Sequence, residues 1–446
     1  MDILPFRSAE ATAPAEPDKP NLASLDALRG VAALGVVLLH SCVPYLRHPM
    51  PGLTWAVIDT PNTAIDLLFW WIELFIMPLF LVLAGFFAWR TLQRRGPKKL
   101  IGTRARRLLI PLLFGMIFVL PLCVFCWVGS WVAEDLVSPV KLKSLKFNGG
   151  IASNLWGLSH LWFLQYLFLY VVGLAIFSVA RKRYPSIKRF QPSLKTSIAL
   201  TLAAAAGILC IEPQVVWGFQ HSFFPVPSKW LYSGLFFTFG LMLAIHDGNL
   251  RWVREQATRM LYPAAITSIV ALLLGRWQLQ QWELSPSIVN QAGNPLATVL
   301  LATATASGAL LTTLSMIGFA VKSINRVPTA IRYLAAASFW IYIVHHPMIG
   351  LTQLDLKLLF PNISPLLKVT VSFTAACSLS LLSYESFVRK TALGRLLGFQ
   401  WNLPAASLGD SASEHVHSMS EHVQSIKMAD QMPHASSSPT ETRRAA

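Results

Sequence analysis

The sequence predicts an all-α polytopic membrane protein with about ten transmembrane helices and both termini cytoplasmic. Three observations predict it. Of 446 residues, 54% are apolar and only 13% charged, where soluble domains run nearer a quarter charged. The apolar residues fall in blocks of about 18 to 27, long enough to cross a hydrocarbon core of roughly 30 Å. Lys and Arg concentrate in alternate loops between those blocks, as the positive-inside rule requires. The alternating ten-residue segments of a β-barrel are absent from the sequence.

The expected spans lie near 25–44, 64–89, 108–132, 160–180, 195–211, 229–246, 260–275, 296–320, 331–351 and 364–388. Residues 1–24 are Pro/Ala/Asp-rich and lack the apolar core of a cleaved signal peptide, so the first span is expected to be an uncleaved anchor. Residues 25–392 form the membrane domain. Residues 393–446, mixed Ser/Ala/His/Glu/Gln without periodicity, read as a disordered tail. The net charge of +16 does not indicate nucleic acid, because the cations sit in short loops facing lipid headgroups. Cys123 and Cys126 sit within an apolar block with no second pair at metal-ligand spacing, and read as small core residues.

Polar groups inside the spans are the functional candidates, because ionisable residues in a bilayer are costly and face protein. The first span carries Arg29 and His40. Eleven residues apart, they share a helix face about 16 Å apart along the axis. The second carries Asp66 and Glu73, seven apart and also on one face, with Pro78 expected to kink the helix nearby. The loop from Arg90 to Arg107 holds eight cations and no acid, and Pro111 suits the first turn of the following span. That loop is either a topology signal or a cytosolic phosphate site, whose oxygens the forks of Arg104 and Arg107 would match.

The fourth span opens with His160 and Trp162, an aromatic belt or part of a site. The ninth carries Tyr342, His345, His346 and Pro347. Pro347 frees the carbonyl of Ile343. Adjacent histidines diverge on a helix, so one of the two is expected to face a given site. Glu385 and Arg389 read as a local i,i+4 ion pair. The topology sends His40, Asp66, Glu73, His160, His345 and His346 to the outer half and Arg29, Arg104 and Arg107 to the inner. Imidazole suits a general base, and Asp66 or Glu73 would orient His40. No metal-ligand spacing appears, so no metal is expected.

In order, Leu28-Arg29-Gly30 with Arg29-x10-His40, the run Pro78 to Phe87, Arg104-x-x-Arg107, His160 to Leu164, and Tyr342 to Pro347 resemble the membrane acyltransferase-3 family. Within it the chain resembles the glucans biosynthesis protein C group of succinyltransferases. Ala84-Gly85 stands where the family commonly has Ser-Gly, and Leu79-Phe80 where it has Phe-Phe. The resemblance implies a multi-pass protein of the inner (plasma) membrane. It would move a succinyl or acetyl group from cytosolic acyl-coenzyme A to a hydroxyl of an extracytoplasmic carbohydrate. His40 would be the base and Arg29 its motif partner. Arg104 and Arg107 would meet the acyl donor, and His160, Trp162, Tyr342, His345 and His346 would surround the acceptor. Acyl-coenzyme A is then a co-substrate and no cofactor is held. The competing class is a transporter or flippase that moves a glycan without covalent chemistry. The oligomeric state is not legible.

Overall fold

A computed structural model describes residues 22–184, 192–284, 294–324 and 326–398, and every regular element among them is helical. In chain order these are α1 (Leu22–Cys42), α2 (Thr63–Phe114), α3 (Leu120–Ala133), the short α4 (Lys141–Ser144), α5 (Trp162–Arg183), α6 (Leu194–Ile211), the short α7 (Gln214–Trp217), α8 (Pro227–His246), α9 (Arg251–Leu284), α10 (Pro295–Ser323), α11 (Thr329–Leu359), α12 (Pro365–Ser383) and the short α13 (Ala392–Leu396).

Nine helical stretches among the described residues are long and apolar enough to cross a membrane. One of them, Thr63–Ala133, is 71 residues. At about 1.5 Å per residue it would outrun any bilayer were it straight, and it contains two of the ten predicted spans. The basic stretch between those two is not a loop. Helix continues through it, and only Gly96 leaves helical geometry, at φ 74°. Pro97 follows, and a residue before proline is driven out of the α region; glycine accepts positive φ without strain. Pro111 accordingly lies well inside helix rather than in a first turn. Pro78 also sits inside helix. Asn62 starts α2 by accepting from the main-chain N–H groups of Ala64 and Ile65.

Two close helix crossings position the bundle. A Cβ on Gly85 would stand 2.0 Å from the Phe237 carbonyl oxygen, and one on Gly240 would stand 2.1 Å from that of Val82. The Gly85 of the family-like run therefore lets α2 and α8 touch backbone to backbone, a small-residue contact common in membranes. On the other side, a Cβ on Gly30 would lie 3.0 Å from the Ala335 Cα, so α1 meets α11 closely.

The segment 46–62 between α1 and α2 folds back into the bundle. Trp55, Ala56 and Val57 are buried. The Trp127 and Trp131 indoles donate to the carbonyls of Thr54 and Trp55. Asp59 pairs with the buried Lys368 at 2.8 Å, and Lys357 bonds both the Ile58 carbonyl and Glu134. Residues 22–24 begin α1, and residues 393–396 lie in α13, where the Arg395 carbonyl accepts from Arg106. Residues 1–21 and 399–446 of the two expected disordered segments lie outside the described residues. Glu385 and Arg389 form their ion pair at 2.6 Å.

Two outcomes are expected. Gly240→Ala should separate α2 from α8 and cost about 1–3 kcal/mol, seen as a lower thermal midpoint in detergent. Partial burial raises the Asp59 carboxyl, but the Lys368 ammonium and the Thr60 N–H outweigh it, holding it below the usual carboxylate range. A depressed acid contributes stability above its unfolded value of about 3.9 and loses it as pH falls through the lower folded value. Asp59→Asn should remove that acid-dependent part of the melting profile and strand Lys368, at about 3 kcal/mol.

Candidate active site

Four imidazoles meet where the C-terminal end of α1, the start of α5 and the middle of α11 converge. His40 lies 4.4 Å, ring centre to ring centre, from His346 and 5.0 Å from His345. His346 stacks on His160 at 4.0 Å. The proline prediction explains the assembly. Pro347 has no N–H for the Ile343 carbonyl, and His160 Nε2 donates to that oxygen at 3.0 Å. The Tyr342 hydroxyl in turn donates to the His160 carbonyl. Both His345 and His346 enter the cluster, where one was expected. Their own ring centres are 4.8 Å apart, so with His40 the three rings form a compact triangle.

The hydrogen bonds assign the tautomers. His345 Nδ1 faces two carbonyl oxygens, Ile341 at 3.1 Å and Tyr342 at 2.8 Å, and so carries the proton. Its Nε2 is then an acceptor. His40 Nδ1 lies 3.1 Å from that nitrogen and 2.9 Å from the Val36 carbonyl, so it is a donor. In neutral His40 the lone pair is therefore on Nε2. Trp55 stacks on this ring at 5.7 Å, and its indole N–H bonds Gln353, whose amide reaches the Ser41 and His40 carbonyls.

His40 also lines a cavity of about 900 Å³, counting its open part. Glu73, His160, Trp162, Lys229, Tyr232 and Tyr342 share its wall. Trp162 is buried and covers the Lys229 ammonium at 4.0 Å, which makes it a cavity wall rather than an interfacial belt.

The expected carboxylate partner of His40 is not formed. Asp66 is fully buried elsewhere, accepting from the Arg47 and His48 main chain, with the His48 ring at 3.2 Å and Arg276 at 3.5 Å. It anchors the turn after α1. Glu73 lines the cavity but makes no hydrogen bond or ion pair among the described residues. Arg29 lies at the opposite end of α1, 46% exposed and paired with Asp26 at 3.1 Å. It is within electrostatic reach of Arg104 and Arg107. None of these three arginines lines the cavity. The structure thus brings together the histidines, Glu73, Trp162 and Tyr342, and separately the three arginines.

Sequence reasoning missed Lys229, Trp55 and Gln353. Lys229 stands at the start of a span, where a lysine reads as a boundary marker. Ligand atoms of His40, His345 and His346 lie within 4.8 Å of one another, near enough to hold one metal ion. No spacing in the sequence predicts that set. A metal binding His40 through Nδ1 would have to displace its hydrogen bond to His345.

Nine membrane-long helices among the described residues, with an imidazole cluster beside a cavity, define a polytopic helical membrane protein. A family model described as an acyltransferase domain, Acyl_transf_3, matches residues 22–385. The chain belongs to that acyltransferase family. No curated protein and no solved structure gives a match.

One loop residue positions the cluster. Ser159 sits at φ 48°, a strained value for a non-glycine residue, immediately before His160. Its N–H donates to His221 Nδ1 at 3.3 Å, while His221 Nε2 donates to the Asn154 carbonyl at 2.8 Å. Burial holds the His221 pKa below its usual 6.5; the Asn154 bond raises it, and the Lys229 charge lowers it. The neutral form thus keeps the Ser159 bond at pH 7 and loses it only as pH falls below 6.5. Hydrogen exchange across residues 154–160, corrected for intrinsic rate, should stay slow at neutral pH and accelerate in that acid window. His221→Phe should give the fast exchange at pH 7, with local opening easier by about 1 kcal/mol.

Proposed function

We propose that the chain is an O-acyltransferase of the cell's inner (plasma) membrane that moves a succinyl or acetyl group from cytosolic acyl-coenzyme A to a hydroxyl of an extracytoplasmic glycan. The observation carrying this reading is the unprotonated Nε2 of a backbone-anchored imidazole on a cavity, in a chain of the acyltransferase family. His40 Nε2 accepts the proton of the acceptor hydroxyl as its oxygen attacks the thioester carbonyl. The C–S bond breaks, and the coenzyme thiolate takes up the proton from His40. Products are the ester and the free thiol.

Arg104 and Arg107 sit beside Arg29 at the other end of α1 and suit the coenzyme's phosphates, which guanidinium forks match. The acyl arm then covers about 16 Å along α1. On this reading it passes between α1 and α2. There a Cβ on Gly35 would meet only the Ile76 side-chain terminus, at 3.4 Å, whereas the α2–α8 and α1–α11 crossings are closed backbone to backbone.

The test is thiol release by purified protein with succinyl- or acetyl-coenzyme A and de-esterified envelope glycan from cells lacking this chain, with the ester identified by mass spectrometry. His40→Ala should slow transfer about 10²- to 10⁴-fold. Full activity in that variant would remove His40 from the mechanism, and absence of transfer by wild type would remove the reading itself.

A further inference from the structure

Glu73 on α2 and Lys229 on α8 line the same cavity and feel one another's charge, yet form no ion pair with each other. Both are held back from contact. Lys229 is 7% exposed, donates to the Gln220 carbonyl at 2.9 Å, and lies against the faces of Trp162 and Phe219. The Glu73 carboxylate has no hydrogen-bond partner among the described residues. Opposite charges kept apart in a largely buried site are costly unless something bridges them. A third group shares the need: the Tyr232 hydroxyl, on the same cavity, is buried without a partner among the described residues. Pro78 removes the helical donor of the Leu74 carbonyl, and both residues line the wall.

Resting on the glycan-acceptor reading above, we propose that Glu73 and Lys229 form the acceptor subsite, gripping two neighbouring hydroxyls of a polyhydroxylated ligand and thereby choosing which hydroxyl meets His40. One ligand hydroxyl donates to the Glu73 carboxylate, and the next accepts from the Lys229 ammonium. A neutral polyol satisfies both walls at once, since each hydroxyl donates and accepts. A singly charged ligand is attracted by one wall and repelled by the other. Both residues are positioning residues, acting on which oxygen is presented rather than on the proton transfer.

The experiment compares wild type with Glu73→Gln and Lys229→Met, as the full chain in nanodiscs. Acceptors are the de-esterified envelope glycan from cells lacking this chain and, separately, n-propanol, which has a single hydroxyl. The subsite predicts that each variant raises the KM for glycan at least about tenfold, the loss expected for one charge-assisted hydrogen bond. The KM for the acyl donor and the rate of transfer to propanol stay within twofold, thermal midpoints are unchanged, and Lys229→Arg recovers part of the loss. Unchanged glycan KM, or equal losses with glycan and propanol, overturns the subsite while leaving the acyltransferase reading intact. Wild-type protein that esterifies neither acceptor overturns the glycan reading, and this one with it.

Discussion

The carbonyl of Ile343 has no donor of its own helix, because proline stands four residues on. In hydrocarbon such a group must find another partner. His160 provides it at 3.0 Å from a different segment. That bond draws the start of α5 against the middle of α11. It assigns the His160 proton to Nε2, and it sets the His160 carbonyl where Tyr342 bonds it. The stack of His160 on His346, and the contact of His346 with His40, follow from the same junction. A defect in one helix thus gathers imidazoles from three elements.

Much of this was legible from residue order. Hydrophobic block length located all ten helical segments, since bilayer thickness is a one-dimensional constraint that acts on consecutive residues. The alternation of spans sent the four clustered histidines to the same end of the bundle, although helical phase admitted only one of His345 and His346, and Pro347 announced the free carbonyl. What stayed hidden depends on tertiary distance. Asp66 and Glu73 share a helix face, yet two turns decide that one anchors a turn after α1 while the other opens on the cavity. Spacing along α2 does not reveal which. Trp55 sits in a segment with no helical period, and only its fold back into the bundle places it on His40. The basic stretch was legible as charge but not as helix, because positive-inside statistics carry no backbone information.

The charges in the membrane domain are separated by function of place. The three arginines cluster at one end of α1. At the other end main-chain carbonyls hold one nitrogen each of His40, His160 and His345, with no carboxylate bonded to those rings among the described residues. The nearest fixed charges shown to share a wall with His40 are Glu73 and Lys229, held on α2 and α8 by a glycine crossing that admits no side chain. Rigid spacing of those two helices is what keeps the charges apart and the space between them available.

A neutral partner for His40 has a physical consequence. An aspartate bonded to the ring would orient it and stabilise the imidazolium formed when a proton arrives, but it would also leave a second buried charge whenever that proton is absent. His345 orients the same nitrogen without that burden, because its own Nδ1 is already committed to Ile341 and Tyr342. In the proposed reaction, His345 and Val36 fix the tautomer, and no carboxylate is bonded to the ring among the described residues. Such a base is poised by geometry alone until an acceptor fills the cavity and displaces its solvent.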